Sequence, residues 1–135
     1  MTALPMTARE ANQYSPPALA FLGDAVYEQL VREKILLHAN MPAGKLHKIA
    51  VKYVCCEFQS AAVELIFDSL TDDEQAVYKR GRNSDGITPP KHSSAAEYRR
   101  ATGLECLFGY LYLTGDTARI REIFEKIWET VELGV

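Results

Sequence analysis

Two carboxylates in the 135-residue sequence stand out because of where helical spacing puts them. A helix turns by about 100° per residue, so side chains three or four positions apart share a face. On that spacing Asp24 falls on an apolar row with Ala20 or Phe21, Tyr27 and Val31, and Glu28 lies one turn further along it. Glu105 is likewise in line with Tyr98, Ala101, Phe108 and Tyr112. A carboxylate on an apolar face is costly unless something compensates it, and an uncompensated one is driven toward its neutral form. Two readings follow. In one, each acid makes an ion pair or hydrogen bond at the rim of the core, with Arg32, Arg99 and Arg100 as partners. In the other, Asp24 and Glu105 meet across a helix–helix contact and share a divalent cation. Hard oxygen donors of this kind suit Mg2+ or Mn2+ rather than zinc, and facing helices of a bundle bring such side chains together.

A second concentration of chemistry is electrostatic. Between positions 79 and 100 there are six basic residues (Lys79, Arg80, Arg82, Lys91, Arg99, Arg100) against Asp85 and Glu97, a local excess of four positive charges in a chain whose net charge is −3. Asn83, Ser84, Thr88, His92 and Ser93 lie in the same stretch. Such a segment is either a solvated face or a loop that grips the backbone of a polyanion. Other chemistries find no support. The sequence has no phosphate-cradling glycine loop, no G-x-S-x-G, no H-E-x-x-H and no C-x-x-C pair. Cys55, Cys56 and Cys106 read as small apolar core residues.

The elements that must position these groups are helical. Apolar residues make up 47% and charged residues 24%, which excludes disorder and collagen-like structure. No run alternates with period two for long enough to make a strand. Ser15 caps a helix over residues 17–38 that Asn40 to Pro42 ends, and a second helix is expected over 45–69. Thr71 and Glu74 form a capping box for a shorter helix ending near Gly81. Pro89 and Pro90 break the basic stretch. Ser94 and Glu97 open a helix to about position 113, and a last amphipathic helix covers 117–133, with Ile120, Ile123, Phe124, Ile127 and Trp128 for packing. The reading is one all-α domain of about five helices over residues 1–135, with 1–14 a flexible leading segment. No apolar stretch approaches the roughly 20 residues of a membrane span. The amino end has no signal-peptide pattern, so the expected compartment is the cytoplasm.

The string from Ala18 through Phe21-Leu22-Gly23-Asp24-Ala25-Val26 to Glu28 resembles the signature helix of the ribonuclease III catalytic domain, and the string from Thr102 through Glu105 to Leu113 resembles that family's second acidic motif. Lys79-Arg80-Gly81-Arg82-Asn83, Pro89-Pro90-Lys91-His92 and Glu97-Tyr98-Arg99-Arg100 resemble its compact branch, Mini-ribonuclease III, which lacks a double-stranded RNA-binding domain. The resemblance implies an all-α endonuclease domain of five to seven helices, working as a homodimer on double-stranded RNA with Mg2+ as cofactor and Mn2+ able to substitute. It implies Asp24 as the catalytic aspartate and a metal ligand and Glu105 as a metal ligand, while the basic stretch itself offers Lys79, Arg80, Arg82, Lys91 and His92 as the RNA contacts. For the branch it further implies maturation of large-subunit (23S) ribosomal RNA, with assistance from a ribosomal protein. Two positions depart from the family: Ala20 and Thr102 stand where it carries further acids. They leave a leaner metal shell, and they favour the rival reading, a non-catalytic module that binds double-stranded RNA or assembling ribosomes.

Overall fold

The computed structural model describes residues 3–85 and 94–131. The chain is all-α, with seven helices and no strand among the described residues: α1 (Ala8–Ala11), α2 (Pro16–His38), α3 (Ala43–Val54), α4 (Cys56–Ile66), α5 (Asp72–Arg82), α6 (Ala95–Leu113) and α7 (Thr117–Trp128), with one 3-10 turn at Phe67–Ser69. The starts obey local chemistry. The Ser15 hydroxyl accepts from Ala18 N, Thr71 and Glu74 complete a reciprocal capping box, and the Ser94 hydroxyl accepts from Glu97 N.

Four expectations change. The single helix over 45–69 is two helices, because Cys55 is extended (φ −72°, ψ 158°). No proline or glycine marks that break; tertiary bonds hold it. The carbonyls freed at the end of α3 are taken by side chains: Tyr27 Oη donates to Tyr53 O at 2.5 Å, Gln59 Nε2 to Val54 O at 3.0 Å and Cys55 Sγ to Lys52 O at 3.4 Å. Cys55 and Cys56 are accordingly half-buried, and only Cys106 lies in the core. The last helix stops at Trp128, where Thr130 Oγ1 donates to Ile127 O. Finally, the segment before α2 is fastened. Met6 N donates to Leu113 O at 2.7 Å, Ala11 is fully buried, and Thr7 and Glu10 cap α1.

The core is organised around α6. From Ala101 to Leu111 every residue is buried except Glu105, which is half-buried. Such a helix contacts its neighbours on several sides, and glycines set the closest approaches. A Cβ on Gly23 of α2 would lie 1.6 Å from Glu105 O, and one on Gly109 would lie 2.0 Å from Leu19 O. The backbones of α2 and α6 therefore touch. Where α5 meets α6, Gly103 leaves room for the Tyr78 ring and Gly81 for Cys106. Tyr27 completes the packing beneath the α2–α6 crossing, with Phe108 and Phe124 each 5.7 Å from its ring. The stripe Ile120, Ile123, Phe124 and Ile127 is buried as anticipated, and Trp128 stacks on Phe124.

Candidate functional site

The Gly23–Gly109 contact has a direct chemical consequence. Asp24 follows the glycine that touches the Glu105 carbonyl, so the two acids, 81 positions apart in sequence, project from the same crossing. They line a pocket of about 230 Å3, with Pro17, Ala20 and Phe21 on the α2 side and Tyr98 and Thr102 on the α6 side. The carboxyl groups are in hydrogen-bonding contact, and Glu105 is held protonated far above the ordinary carboxylate range, at about 9. Burial is the largest cause, followed by the hydrogen bond to Asp24 and its charge, while the Gln59 amide pulls the other way. Tyr98, on the pocket wall, is also raised, first by burial and then by Glu105, Cys56 and Asp24.

The two acids do not share one environment. Ala20, Tyr27 and Val31 of the expected row are buried, together with Leu19 and Gly23, but Asp24 itself is exposed and Phe21 is 85% exposed. Gly23 and Gly109 let the two backbones meet beside Asp24, whose side chain lines the pocket instead of the core. The ion-pair reading holds for Glu28, which meets Arg32 at 2.7 Å. It fails for Glu105. Arg99 donates to the carbonyls of Arg82 and Ser84, and Arg100 to Ser60 Oγ and Glu64. No ion pair to Asp24 or Glu105 occurs among the described residues.

An acid pair that lines one pocket, with no ion pair to either acid among the described residues, fits a divalent ion. The donors are hard oxygens, and a cation between them would favour the charged form of Glu105 against the burial and the Asp24 contact that raise it. No group of three or more His, Cys, Asp or Glu side chains with metal-binding geometry occurs among the described residues. Ala20 offers no ligand, and Thr102 Oγ1 donates its proton to Tyr98 O at 3.0 Å within its own helix. The set therefore suits an ion that keeps most of its water, as Mg2+ and Mn2+ do.

The proposed RNA contacts separate. Lys79 is exposed, its ammonium 5.6 Å from the Phe67 ring, and Arg82 lies 5.6 Å over Tyr78 and donates to Asn83 Oδ1. Arg80 is engaged inside the fold, its guanidinium donating to Asn12 O and Tyr14 O at 2.9 and 2.8 Å. Those bonds fasten the segment before α2 and leave Arg80 ill-placed to hold a phosphate. Lys91 and His92, with Thr88 and Ser93, lie outside the described residues. Sequence reasoning missed Gln59, which is 1% exposed and acts on Glu105. A polar residue amid an apolar helical pattern was its only signal.

The sequence of this all-α domain matches the Ribonuclease III domain model over residues 17–116. The chain belongs to the ribonuclease III domain family. It is 44% identical to the Mini-ribonuclease 3 of Thermoanaerobacter sp. (strain X514) over 94% of this chain and 89% of that one. It is 41% identical to the Mini-ribonuclease 3 of Symbiobacterium thermophilum, over 88% of this chain and 92% of that one. The crystal structure of protein FN1578 from Fusobacterium nucleatum matches with a TM-score of 0.79 at 31% identity, covering 86% of this chain and 89% of that one.

Proposed function

We propose that the chain is a divalent-metal-dependent endonuclease of double-stranded RNA, acting as a homodimer with Mg2+ as its cofactor and Mn2+ able to replace it. The observation that carries this reading is the meeting of Asp24 and Glu105 in one open pocket, with no ion pair to either acid among the described residues. Asp24 and Glu105 would hold the ion, which supplies an activated water and charge stabilisation at the scissile phosphodiester. Asp24, exposed at the pocket mouth, presents its carboxylate to the RNA side. Glu105, half-buried, anchors the pair from the protein side. Tyr98 forms part of the pocket wall.

A-form RNA hides its base edges in a deep, narrow groove, so a helical domain must grip phosphates and 2′-hydroxyls. Lys79 and Arg82 are the described groups suited to this, with Lys91 and His92 continuing the set in sequence. Binding should therefore be modest and salt-dependent. The exposure of Phe21 beside Asp24 supports a protein–protein contact at the edge of the site. A two-fold dimer would set one acid pair on each strand and give staggered cuts with 3′ overhangs. No helix among the described residues is long and apolar enough to cross a membrane. We take a ribosomal RNA precursor, the 23S species, as the substrate, with a ribosomal protein assisting, from the resemblance to the compact ribonuclease III branch.

Ala20 and Thr102 in the pocket wall favour the rival, a module that binds duplex RNA without cutting it. One experiment separates the two: long duplex RNA at low salt, with and without Mg2+, using wild type and Asp24→Asn. Metal-dependent cleavage that falls by about three orders of magnitude in D24N, the several kcal/mol such an ion supplies, supports the enzyme. Retarded but intact RNA in the presence of Mg2+ rejects it.

A further inference from the structure

A second pocket, of opposite charge, opens on another face of α6. Arg100 precedes Glu105 by five residues, which sets it roughly 140° around the helix from the acidic pair. It lines a cavity of about 300 Å3 between α4, α5 and α6, together with Val63, Glu64, Phe67, Tyr78 and Arg82. Two guanidinium groups from different helices thus meet one cavity, and both are held in place. Arg100 Nε donates to Ser60 Oγ at 2.7 Å and pairs with Glu64 at 3.1 Å, and Ser60 is 3% exposed. Both bonds use Nε, so the two outer amino groups of the fork are not spent on them. Arg82 lies 5.6 Å over the Tyr78 ring, and an aromatic face orients a guanidinium without cancelling its charge. Lys79, 5.6 Å from the Phe67 ring, adds a third positive charge at the same wall, against the one negative charge of Glu64.

Duplex RNA does not present itself to such a cavity. The phosphodiesters of an A-form strand lie on the outside of a rod and its bases are stacked within. A phosphate monoester carries close to two negative charges at pH 7 and offers three free oxygens, so two guanidinium forks can grip it at once. The volume and the apolar wall of Val63, Phe67 and Tyr78 leave room for a nucleoside attached to it. We propose that this pocket binds a nucleoside monophosphate, its phosphate clamped between Arg82 and Arg100 and its nucleoside resting on Val63, Phe67 and Tyr78. Such a unit has two sources: a free mononucleotide, or the phosphorylated end of an RNA strand whose last base is unpaired. Glu64 is the rival of this ligand, because its carboxylate competes for Arg100 and repels a phosphate. The site is independent of the reading of Asp24 and Glu105, and its occupancy is measurable without metal.

The test uses the full chain in a metal chelator, so that no RNA is cut, and calorimetric titration with adenosine 5′-monophosphate, inorganic phosphate and adenosine. The expected result is saturable binding of the nucleotide, weaker binding of phosphate and none of adenosine. Arg100→Met, which keeps the stem and removes the fork, should raise the nucleotide dissociation constant about tenfold. Glu64→Gln, which removes the rival charge, should lower it about threefold. A merely structural defect would weaken binding in both variants, whereas a phosphate site moves them in opposite directions. A wild type without saturable nucleotide binding, adenosine bound as tightly as the nucleotide, or wild-type affinity in Arg100→Met overturns the proposal. Should Arg100→Met fail to fold, Glu64→Gln decides: tighter nucleotide binding supports the site, and unchanged or weaker binding overturns it. Filter binding of duplex RNA with a short 5′ overhang, ending in a phosphate or a hydroxyl, identifies the source. A preference for the phosphorylated end that Arg100→Met abolishes supports the RNA terminus as ligand, and equal affinity for both ends supports the free nucleotide. Weaker binding of the hydroxyl duplex by Arg100→Met would make Arg100 a contact to internal phosphodiesters and overturn the monoester site.

Discussion

Glu105→Gln should make the metal-free protein more stable while removing its activity, and the gain should grow with pH. Glu105 in the folded chain keeps its proton up to about 9, against an ordinary value of 4.5, because it is buried beside Asp24 and hydrogen-bonded to it. Between those two values the unfolded chain has released the proton and the folded chain has not. The folded state then binds more protons, so stability is full below about pH 4.5 and falls as pH rises toward 9. The limiting slope is about 1.4 kcal/mol per pH unit, so the interval from pH 5 to pH 8 removes on the order of 4 kcal/mol. Glutamine preserves the shape, carries no ionisable proton and escapes this loss. The assay is thermal or urea unfolding in a metal chelator at pH 5 and pH 8. The variant should match wild type closely at pH 5 and melt roughly 10 °C higher at pH 8. Saturating Mg2+ at pH 8 should narrow the gap by stabilising wild type alone. A difference that stays constant between the two pH values, or wild type the more stable at pH 8, would refute the mutual destabilisation of the pair.

Gly23→Ala puts a methyl 1.6 Å from Glu105 O, so α2 and α6 must separate; a loss of about 3 kcal/mol in urea unfolding and of duplex cleavage is expected. Lys79→Ala and Arg82→Ala should each lower the slope of log affinity against log salt by about 1, measured by filter binding. Arg80→Ala should leave that slope unchanged and instead expose the bonds near Asn12 and Tyr14 to limited proteolysis. In Glu74, burial pushes the carboxyl up but is outweighed by Arg119 and Thr71, so its proton is released at lower pH than usual. That stability is present above the unfolded value and lost as pH falls through the folded one. Arg119→Ala should cost about 3 kcal/mol near neutral pH, because it leaves an almost fully buried carboxylate unpaired, and the difference should shrink as acid denatures wild type.

Helix starts were readable because their determinants are local. Ser15, Thr71 and Ser94 each satisfy a backbone N–H three residues on, and the apolar stripe of α7 follows its own period. The break at Cys55 was not readable, since the bonds that hold it come from Tyr27 and Gln59, one of them in another helix. Periodicity found both acids but misjudged Asp24. It weighs hydrophobicity and cannot register that a glycine invites the closest neighbour. Glu105 was placed correctly on a buried helix, whereas its partner proved to be Asp24 and not an arginine. Charge counting grouped Arg80 with Lys79 and Arg82, although a guanidinium that completes two backbone carbonyls at Asn12 and Tyr14 has a structural post that composition cannot reveal.

Because α2 and α6 meet main chain to main chain at Gly23 and Gly109, no cushion of side chains separates them, and the aperture between the two acids has no adjustable spacer. Repacking the interior cannot tune it. Any change in ion preference must come from the walls, where Ala20 and Thr102 already sit with short side chains. On the proposed reading of Asp24 and Glu105 as ion ligands, Ala20→Glu and Thr102→Asp are the substitutions that would add donors to the pair on an unaltered frame.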